Sequence, residues 1–441
     1  MKRALKFISV FLGTALAIFL LVYTLNKEVF TTLFDNRASL AEGSEWVEMT
    51  YSLKGLTNYI AEHPDRVSIA GKVIGNPDST LAYHDDLPRT MGLISNFFLL
   101  AGYADGFASG RIDPGERLNW EEITRYQLPQ IGQAAHQRAR RIARNEGWID
   151  RDGQISLEDA VRLLARAKSP ALSDFLLIRY GREEMNELYG RLQLTETDSP
   201  APFSGLWLSI APSIHNLEPE VILEYWLTEP AGVLADEAWE HAQYFSDGDD
   251  RSEWLSILEA DRLGTSFMQE RDLLELFPKT TAREMVRVLT DLHHEELLSA
   301  EVSQQLLEWI SHPEDDPAVR RHFDRYVALF DEWVGMFAGI DIGTSRYTGD
   351  TTVQAVFFDR IHIAVWFHMS SNHMHEDFQQ RLIYDPALIE AVARFAGRIT
   401  TPQETALNRP SVNIGHSANN TATIPLQYTA KNIATDISFY E

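Results

Sequence analysis

The sequence predicts an α+β fold: an antiparallel sheet with helices on both faces, an added all-helical subdomain, and an N-terminal transmembrane helix in front of them. Three observations carry this reading. Residues 7–25 are an uncharged, nearly all-apolar run. Strand-like segments lie near both ends of the chain beyond that run, so strands from both ends must meet in one sheet. Between them runs a long block with helical periodicity. Composition supports a packed chain: 44% of the 441 residues are hydrophobic and 11% aromatic, enough to bury a large core. Against 39 Lys plus Arg stand 64 Asp plus Glu, a net charge of −25, which excludes a generic nucleic-acid binder. Cysteine is absent, and with it disulfides, thiolate metal sites and cysteine nucleophiles.

At about 1.5 Å per residue, Phe7 to Leu25 matches a hydrocarbon core of roughly 30 Å. Lys2, Arg3 and Lys6 precede it, so the positive-inside bias leaves residues 1–6 as a cytoplasmic stub and exports the rest. The end of the run and the residues just beyond it, Tyr23 to Lys27, offer no small-x-small cleavage site, so the segment reads as an uncleaved signal anchor. The protein is then expected in the inner (cytoplasmic) membrane, single-pass, with a periplasmic or otherwise extracytoplasmic soluble part. Residues 26–45 read as a stalk. The acidic charge argues against tight adsorption of the soluble part to anionic lipid.

The main domain is expected over residues 46–397. Trp46 to Leu53 and Val67 to Val73 are rich in β-branched and aromatic residues, and Thr80 to His84 comes after the turn signal Asn76-Pro77-Asp78; all three read as strands. Over Gly92–Ala108 the spacing of Leu93, Phe97, Leu100 and Ala104 predicts a helix that stops at Gly110. A long helix is expected over about Trp120–Arg144. Ser156-Leu-Glu-Asp159 has capping-box spacing and opens another helix, with one more over Ala171–Tyr180. Residues 193–278 hold Trp207, Trp226, Trp239 and Trp254 and read as an insertion or subdomain. Helical periodicity returns over Thr281–Leu292 and Ala300–Ile310. Thr351–Phe358 and Ile361–Phe367, parted by Asp359-Arg360, predict a hairpin. A helix over Ala387–Ala396 closes the domain, and residues 398–441 read as a tail.

Several of these segments resemble a known family. Lys279 to Leu292 with Glu296 to Trp309 resembles the paired helices of class A serine β-lactamases and the penicillin-binding-protein-like serine hydrolases. Ala104 to Leu118 is similar to the end of the family's nucleophile-bearing helix, Gly153 to Gly181 to its central helix pair, and Phe337 to Ser371 to its closing strands. The resemblance covers about residues 65–192 and 279–397. It implies the β-lactamase/transpeptidase-like fold.

Chemistry in that family needs a Ser-x-x-Lys, a Ser-Asp-Asn and a Lys-Thr/Ser-Gly. Counting from Gly110 puts the first on Leu93-Ile94-Ser95-Asn96, with Leu93 for the nucleophile and Asn96 for its lysine. No serine in the chain has a lysine three residues later. The second falls on Lys168-Ser169-Pro170. The third falls on Asp341-Ile342-Gly343, where an acid would repel the carboxylate that a lysine attracts. Residues 193–278 occupy the place of the family's Ω loop without a Glu-x-x-Leu-Asn. The expectation is a divergent member that has lost acyl transfer, a pseudoenzyme serving as a binding or scaffold module of the cell envelope. Its expected partners are another envelope protein or a peptidoglycan-derived ligand, with no cofactor. A second reading is a hydrolase with displaced machinery, using Ser95 or a residue of 193–278 as nucleophile and Lys168 as base.

Other residues carry paired readings. His368, His373 and His375, with Glu376 and Asp377, form either a divalent-metal site or a polar loop before a helix. Asp150 to Gly153 is a turn or half an EF-hand loop. Arg138, Arg140, Arg141 and Arg144 form an anion-docking strip or a solvated helix face paired with Glu121 and Glu146. The tryptophans of 193–278 either stack sugars or build a core. His293-His294 reads as loop.

Overall fold

The computed structural model describes residues 34–396, apart from 77–78, 231, 249–250, 261–262 and 312–316. The expected anchor at 7–25 and the tail at 398–441 lie outside the described residues. Among the described residues no helix is long and apolar enough to cross a membrane.

The first described elements, α1 (Arg37–Ala41) and α2 (Ser44–Val47), precede α3 (Leu53–Glu62). Residues 37–45 of the expected stalk pack against the domain, next to the helix at Ile363–Ser371. Glu42 accepts from Arg271 Nη1 on both oxygens (2.8 and 2.7 Å) and from the amide of Ile363 (2.9 Å). Burial opposes ionisation, but these bonds outweigh it and hold the Glu42 carboxyl below its usual range. Nor is Trp46–Leu53 a strand: it runs through α2 and a 3₁₀ turn at Met49–Tyr51 into α3. Its β-branched and aromatic content suits either state, and Ser52, which accepts from Gly55 N, caps the helix.

One five-stranded antiparallel sheet organises the domain. Its strands are β1 (Val67–Val73), β2 (Thr80–Tyr83), β7 (Phe323–Trp333), β8 (Met336–Ser345) and β9 (Thr351–Phe358), in the order β2-β1-β9-β8-β7. Small ladders pair β3 (Arg89–Thr90) with β6 (Lys279–Thr280) and β4 (Arg117–Asn119) with β5 (Gln154–Ser156). Strands from both chain ends do meet, with Ile69 opposite Val356 and Ala70 opposite Ala355. The period of two divides the side chains. Ala338, Ile340, Val353, Ala355 and Phe357 face the helical lobe, while Phe337, Val356, Phe358, Val67 and Ile69 face α3 and the C-terminal helices α19 (Ile363–Ser371), α20 (Met374–Tyr384) and α21 (Pro386–Ala396).

The expected hairpin over 351–367 is absent because Ile363–Ser371 is helical. The apolar alternation at Ile361, Ile363 and Val365 is too short to separate a strand from the buried side of a helix. The neighbours of β9 are instead β1 and β8, and the edge strand β7 is an element that the sequence reading does not contain.

The helical lobe contains α4 (Asn96–Ala108), α5 (Trp120–Thr124), α6 (Gln133–Asn145), α7 (Leu157–Ala167), α8 (Pro170–Tyr180) and α9 (Arg182–Arg191). The single helix expected over 120–144 is broken between α5 and α6, where Pro129 and a left-handed Gly132 (φ 64°) interrupt it. Ser156 caps α7 by accepting from Asp159 N.

Residues 193–278 are helical and integral to this lobe: α10 (Phe203–Ile210), α11 (Pro212–His215), α12 (Pro219–Thr228), α13 (Val233–Asp247), α14 (Arg251–Ala260) and α15 (Phe267–Leu273). A buried Asp174 on α8 accepts from the amides of Phe203 (2.6 Å) and Ser204 (2.7 Å), capping α10 from outside its own segment. Gly205 lets α10 meet α13, since a Cβ there would lie 1.7 Å from the Ala238 carbonyl oxygen. Of the closing pair, α16 (Ala282–His293) packs on β1, β8 and β9 and α17 (Ala300–Trp309) packs on α4, and a short α18 (Pro317–His322) leads into β7.

Candidate functional site

Between the helical lobe and edge strand β7 lies a cleft of about 1710 Å³. Its floor is the 3₁₀ turn Gly92–Ser95 leading into α4, which contributes Leu93, Ile94 and Asn96. One wall is the α7–α8 corner with Lys168 and Pro170, and the opposite wall is β7 from Ala328 to Trp333. Arg138 and Arg166 stand among its lining residues on the helical side, and His373 and Glu376 on the other. Tertiary structure thus brings Leu93, Asn96, Lys168 and Pro170 to one place from two separate segments.

Each polar group in this cleft has a definite environment. Asn96 Oδ1 accepts from Ser173 Oγ of α8 at 2.5 Å. Lys168, in the left-handed region at φ 45°, caps α7 and is exposed, with no hydrogen bond or ion pair among the described residues. Asp331 is the buried acid, only 3% exposed. Its Oδ2 accepts from the amide of Leu93 (2.6 Å) and from the indole of Trp333 (2.9 Å). Burial pushes this carboxyl up to about 6 against the opposing pull of Lys168 and the two donors.

Ser95 does not line the cleft. It is 5% exposed and its hydroxyl donates to the Gly92 carbonyl (2.9 Å), so it is not presented as a nucleophile. Asp341 and Gly343 also lie elsewhere. Asp341, on the inner strand β8, is 1% exposed and accepts from Tyr326 Oη (2.8 Å) and Gln354 Nε2 (3.3 Å); burial pushes it up to about 7. At Gly343 the place of a Cβ is already taken by Ile383 and Phe323. Asp341 and Gly343 both lie on β8, and β7 stands between β8 and the cleft. The strand β7 contributes Asp331 and Glu332 to the cleft lining instead.

Two serine–imidazole contacts exist away from the cleft lining. Ser169 Oγ lies 3.1 Å from His136 Nδ1, whose Nε2 faces Thr124 Oγ1 at 3.1 Å. Ser209 Oγ lies 2.9 Å from His241 Nδ1, with Glu237 3.8 Å from its other nitrogen. Both serines are essentially without solvent access, at 0% and 1% exposure. Burial lowers both imidazoles to about 4, too weakly basic to take a proton from an alcohol at neutral pH. Ser169 accepts from Leu172 N as the α8 cap, and Ser209 donates to Gly205 O, so these are structural contacts.

The histidines after the sheet do not converge. His375 is 4% exposed and stacks on Phe337 at 4.1 Å, and burial lowers it to about 3. His368 sits edge-on to Tyr51, and His373 adopts a left-handed conformation before α20. No group of three acidic or imidazole side chains among the described residues is placed to hold a metal. Asp150–Gly153 is a turn in which Asp150 accepts from the amides of Asp152 and Gln154. Trp207, Trp226, Trp239 and Trp254 are all buried, so they build the core of the insertion and offer no face to a sugar. Phe203 stacks on Trp333 at 5.9 Å and Trp207 lies 6.0 Å from it, so the insertion backs the Asp331 end of the cleft. On α6, Arg140 pairs with Glu121, while Arg138, Arg141 and Arg144 point to solvent.

No family model and no curated protein matches the chain. Among solved structures it is similar to a beta-lactamase from Sphaerobacter thermophilus, with 13% identity, 78% of this chain and 97% of that chain covered, and a TM-score of 0.46. A beta-lactamase from Chitinophaga pinensis gives 13% identity, 76% and 99% coverage and a TM-score of 0.44. PBP-A gives 13% identity, 74% and 97% coverage and a TM-score of 0.41. The resemblance is to a beta-lactamase-like and PBP-like arrangement of elements, and what the cleft does rests on its own geometry.

Proposed function

We propose that this chain is a non-catalytic binding or scaffold module of the cell envelope, held at the inner membrane by residues 7–25, on a β-lactamase-like framework that no longer performs acyl transfer. One observation carries the reading. An acyl-transfer site stabilises a developing oxyanion with preorganised N–H donors, commonly including the nucleophile's own amide. Here the Leu93 amide, at the base of the cleft, already donates to the Asp331 carboxylate. The cleft supplies its own anion where a reacting carbonyl oxygen would have to gather charge. Leu93 offers no nucleophilic atom, and Lys168 has no serine oxygen within hydrogen-bonding distance among the described residues. Nothing on the cleft lining favours the displaced hydrolase.

Treating the full chain with a fluorescent penicillin and with a fluorophosphonate tests this reading. Silence from both reagents is expected, and stoichiometric labelling of one serine would overturn it. For the anchor, the expected outcome is retention in the membrane pellet after alkaline carbonate washing with the N-terminal residues intact. Release into the supernatant would remove the anchoring half of the proposal.

A further inference from the structure

Away from the cleft, α12 carries an unusual surface. Its inner side is fixed: Ile222 and Trp226 are buried, and the Trp226 indole donates to Ser209 O at 3.2 Å. On its exposed side Val221 and Tyr225 stand among Glu220, Glu224 and Thr228, with Leu217 in the turn before the helix. Leu217, Val221 and Tyr225 succeed one another at intervals of four and are 38%, 44% and 49% exposed. Leu227 and Tyr244 are exposed nearby in sequence, so five of the nine large apolar side chains exposed among the described residues fall within residues 217–244. Scattered exposed apolar residues need no explanation, but a ridge on a rigid helix marks a contact surface.

The charge around this ridge has one sign. Between Arg191 and Arg251 the sequence holds twelve Asp and Glu and no Lys or Arg. Glu218 precedes Val221 by three residues, Glu224 lies three beyond it, and Glu229 lies four beyond Tyr225. All three lack ion pairs among the described residues, as does the exposed Glu240 of α13. Val221 and Tyr225 stand about 6 Å apart along the helix axis, one turn of an apolar stripe, with Leu217 in the turn just before the helix.

We infer that the outer face of α12 is a docking surface for an amphipathic helix of another protein, one whose apolar stripe is flanked by Lys and Arg. Charge complementarity selects this occupant. Anionic lipid and nucleic acid would be repelled by the flanking glutamates, and a second copy using the same face would set those glutamates against each other. The surface is separate from the cleft and holds whether or not the cleft is catalytic.

The test uses the full chain in zwitterionic-lipid nanodiscs and a synthetic 18-residue helix with leucines at positions i, i+3, i+4 and i+7 and lysines elsewhere, with a scrambled peptide of the same composition as control. Binding followed by fluorescence anisotropy should favour the patterned peptide by at least about tenfold. V221S/Y225S should erase that preference, and E224Q/E229Q should flatten the salt dependence of binding. All four positions face solvent or are half-buried, so unchanged circular dichroism will confirm that the variants fold. Equal binding of the scrambled peptide, or binding indifferent to V221S/Y225S, overturns the inference. So does concentration-dependent dimerisation that V221S/Y225S abolishes, which would give the face to a second copy. Tighter peptide binding after deletion of residues 1–33 would give it to the chain's own N-terminus.

Discussion

Gly92 sits at φ 54°, and a Cβ built on it would lie 2.3 Å from Asp331 Oδ2 and 2.8 Å from Met336 Cε. Gly92→Ala thus combines left-handed strain with collision against the carboxylate that Leu93 holds, and should cost about 2–4 kcal/mol by urea unfolding. A loss below about half a kcal/mol would mean that the turn relaxes freely. The buried carboxyls predict a pH dependence. Burial raises Asp331 to about 6 and Asp174 and Asp341 to about 7, above the roughly 3.9 expected in the unfolded chain. Folding therefore takes up protons, so these groups make the protein most stable below the unfolded value and weaken it as pH rises towards about 7. Asp341→Asn should remove on the order of 4 kcal/mol of this dependence. Parallel stability–pH curves for wild type and variant would refute the assignment. None of the burial behind this is visible in sequence. Asp341 stands out there only through the family resemblance, and Asp331 does not stand out at all, because its donors, Leu93 N and Trp333 Nε1, come together only when β7 packs against the turn before α4.

At the scale of elements, caps and breakers are legible where the signal is local. Ser156 opens α7 as its spacing indicates, and Gly110 (φ 69°) lies just past α4. The break between α5 and α6 is equally local, at Pro129 and Gly132, but the strong periodicity on either side masks it. Strand β7 escapes the sequence pattern because Asp324, Arg325, Asp331 and Glu332 dilute its apolar residues, as charges on an edge strand do. Two elements can be tested directly. Asp174→Ala leaves the buried amides of Phe203 and Ser204 without an acceptor and should cost about 2 kcal/mol, with hydrogen exchange rising first in α10. Glu42→Ala should let the amides of residues 37–47 exchange faster while β8 and β9 stay protected. Unchanged exchange in that segment would show that the ion pair with Arg271 does not hold it down.

Across the whole molecule, a net charge of −25 sets a self-repulsion that salt should relieve. Raising ionic strength from about 10 mM to about 200 mM shortens the Debye length from roughly 30 Å to under about 10 Å, so Tm should rise; a fall would mean that ion pairs such as Arg191–Asp105 and Arg283–Glu196 outweigh the net charge. The sequence alone determined the α+β class, the joining of strands from both chain ends, the helices that obey strict periodicity, and the lack of any serine three residues before a lysine. All of these are properties of order and spacing along the chain. Tertiary structure decided that Asp331 lines the cleft and Asp341 does not, that the tryptophan-rich segment is core, that the imidazoles at 368, 373 and 375 stay apart, and that residues 37–47 dock on the domain. Those outcomes depend on which face each element buries and which strand lies at the sheet edge, and contacts between residues hundreds of positions apart leave no periodic trace.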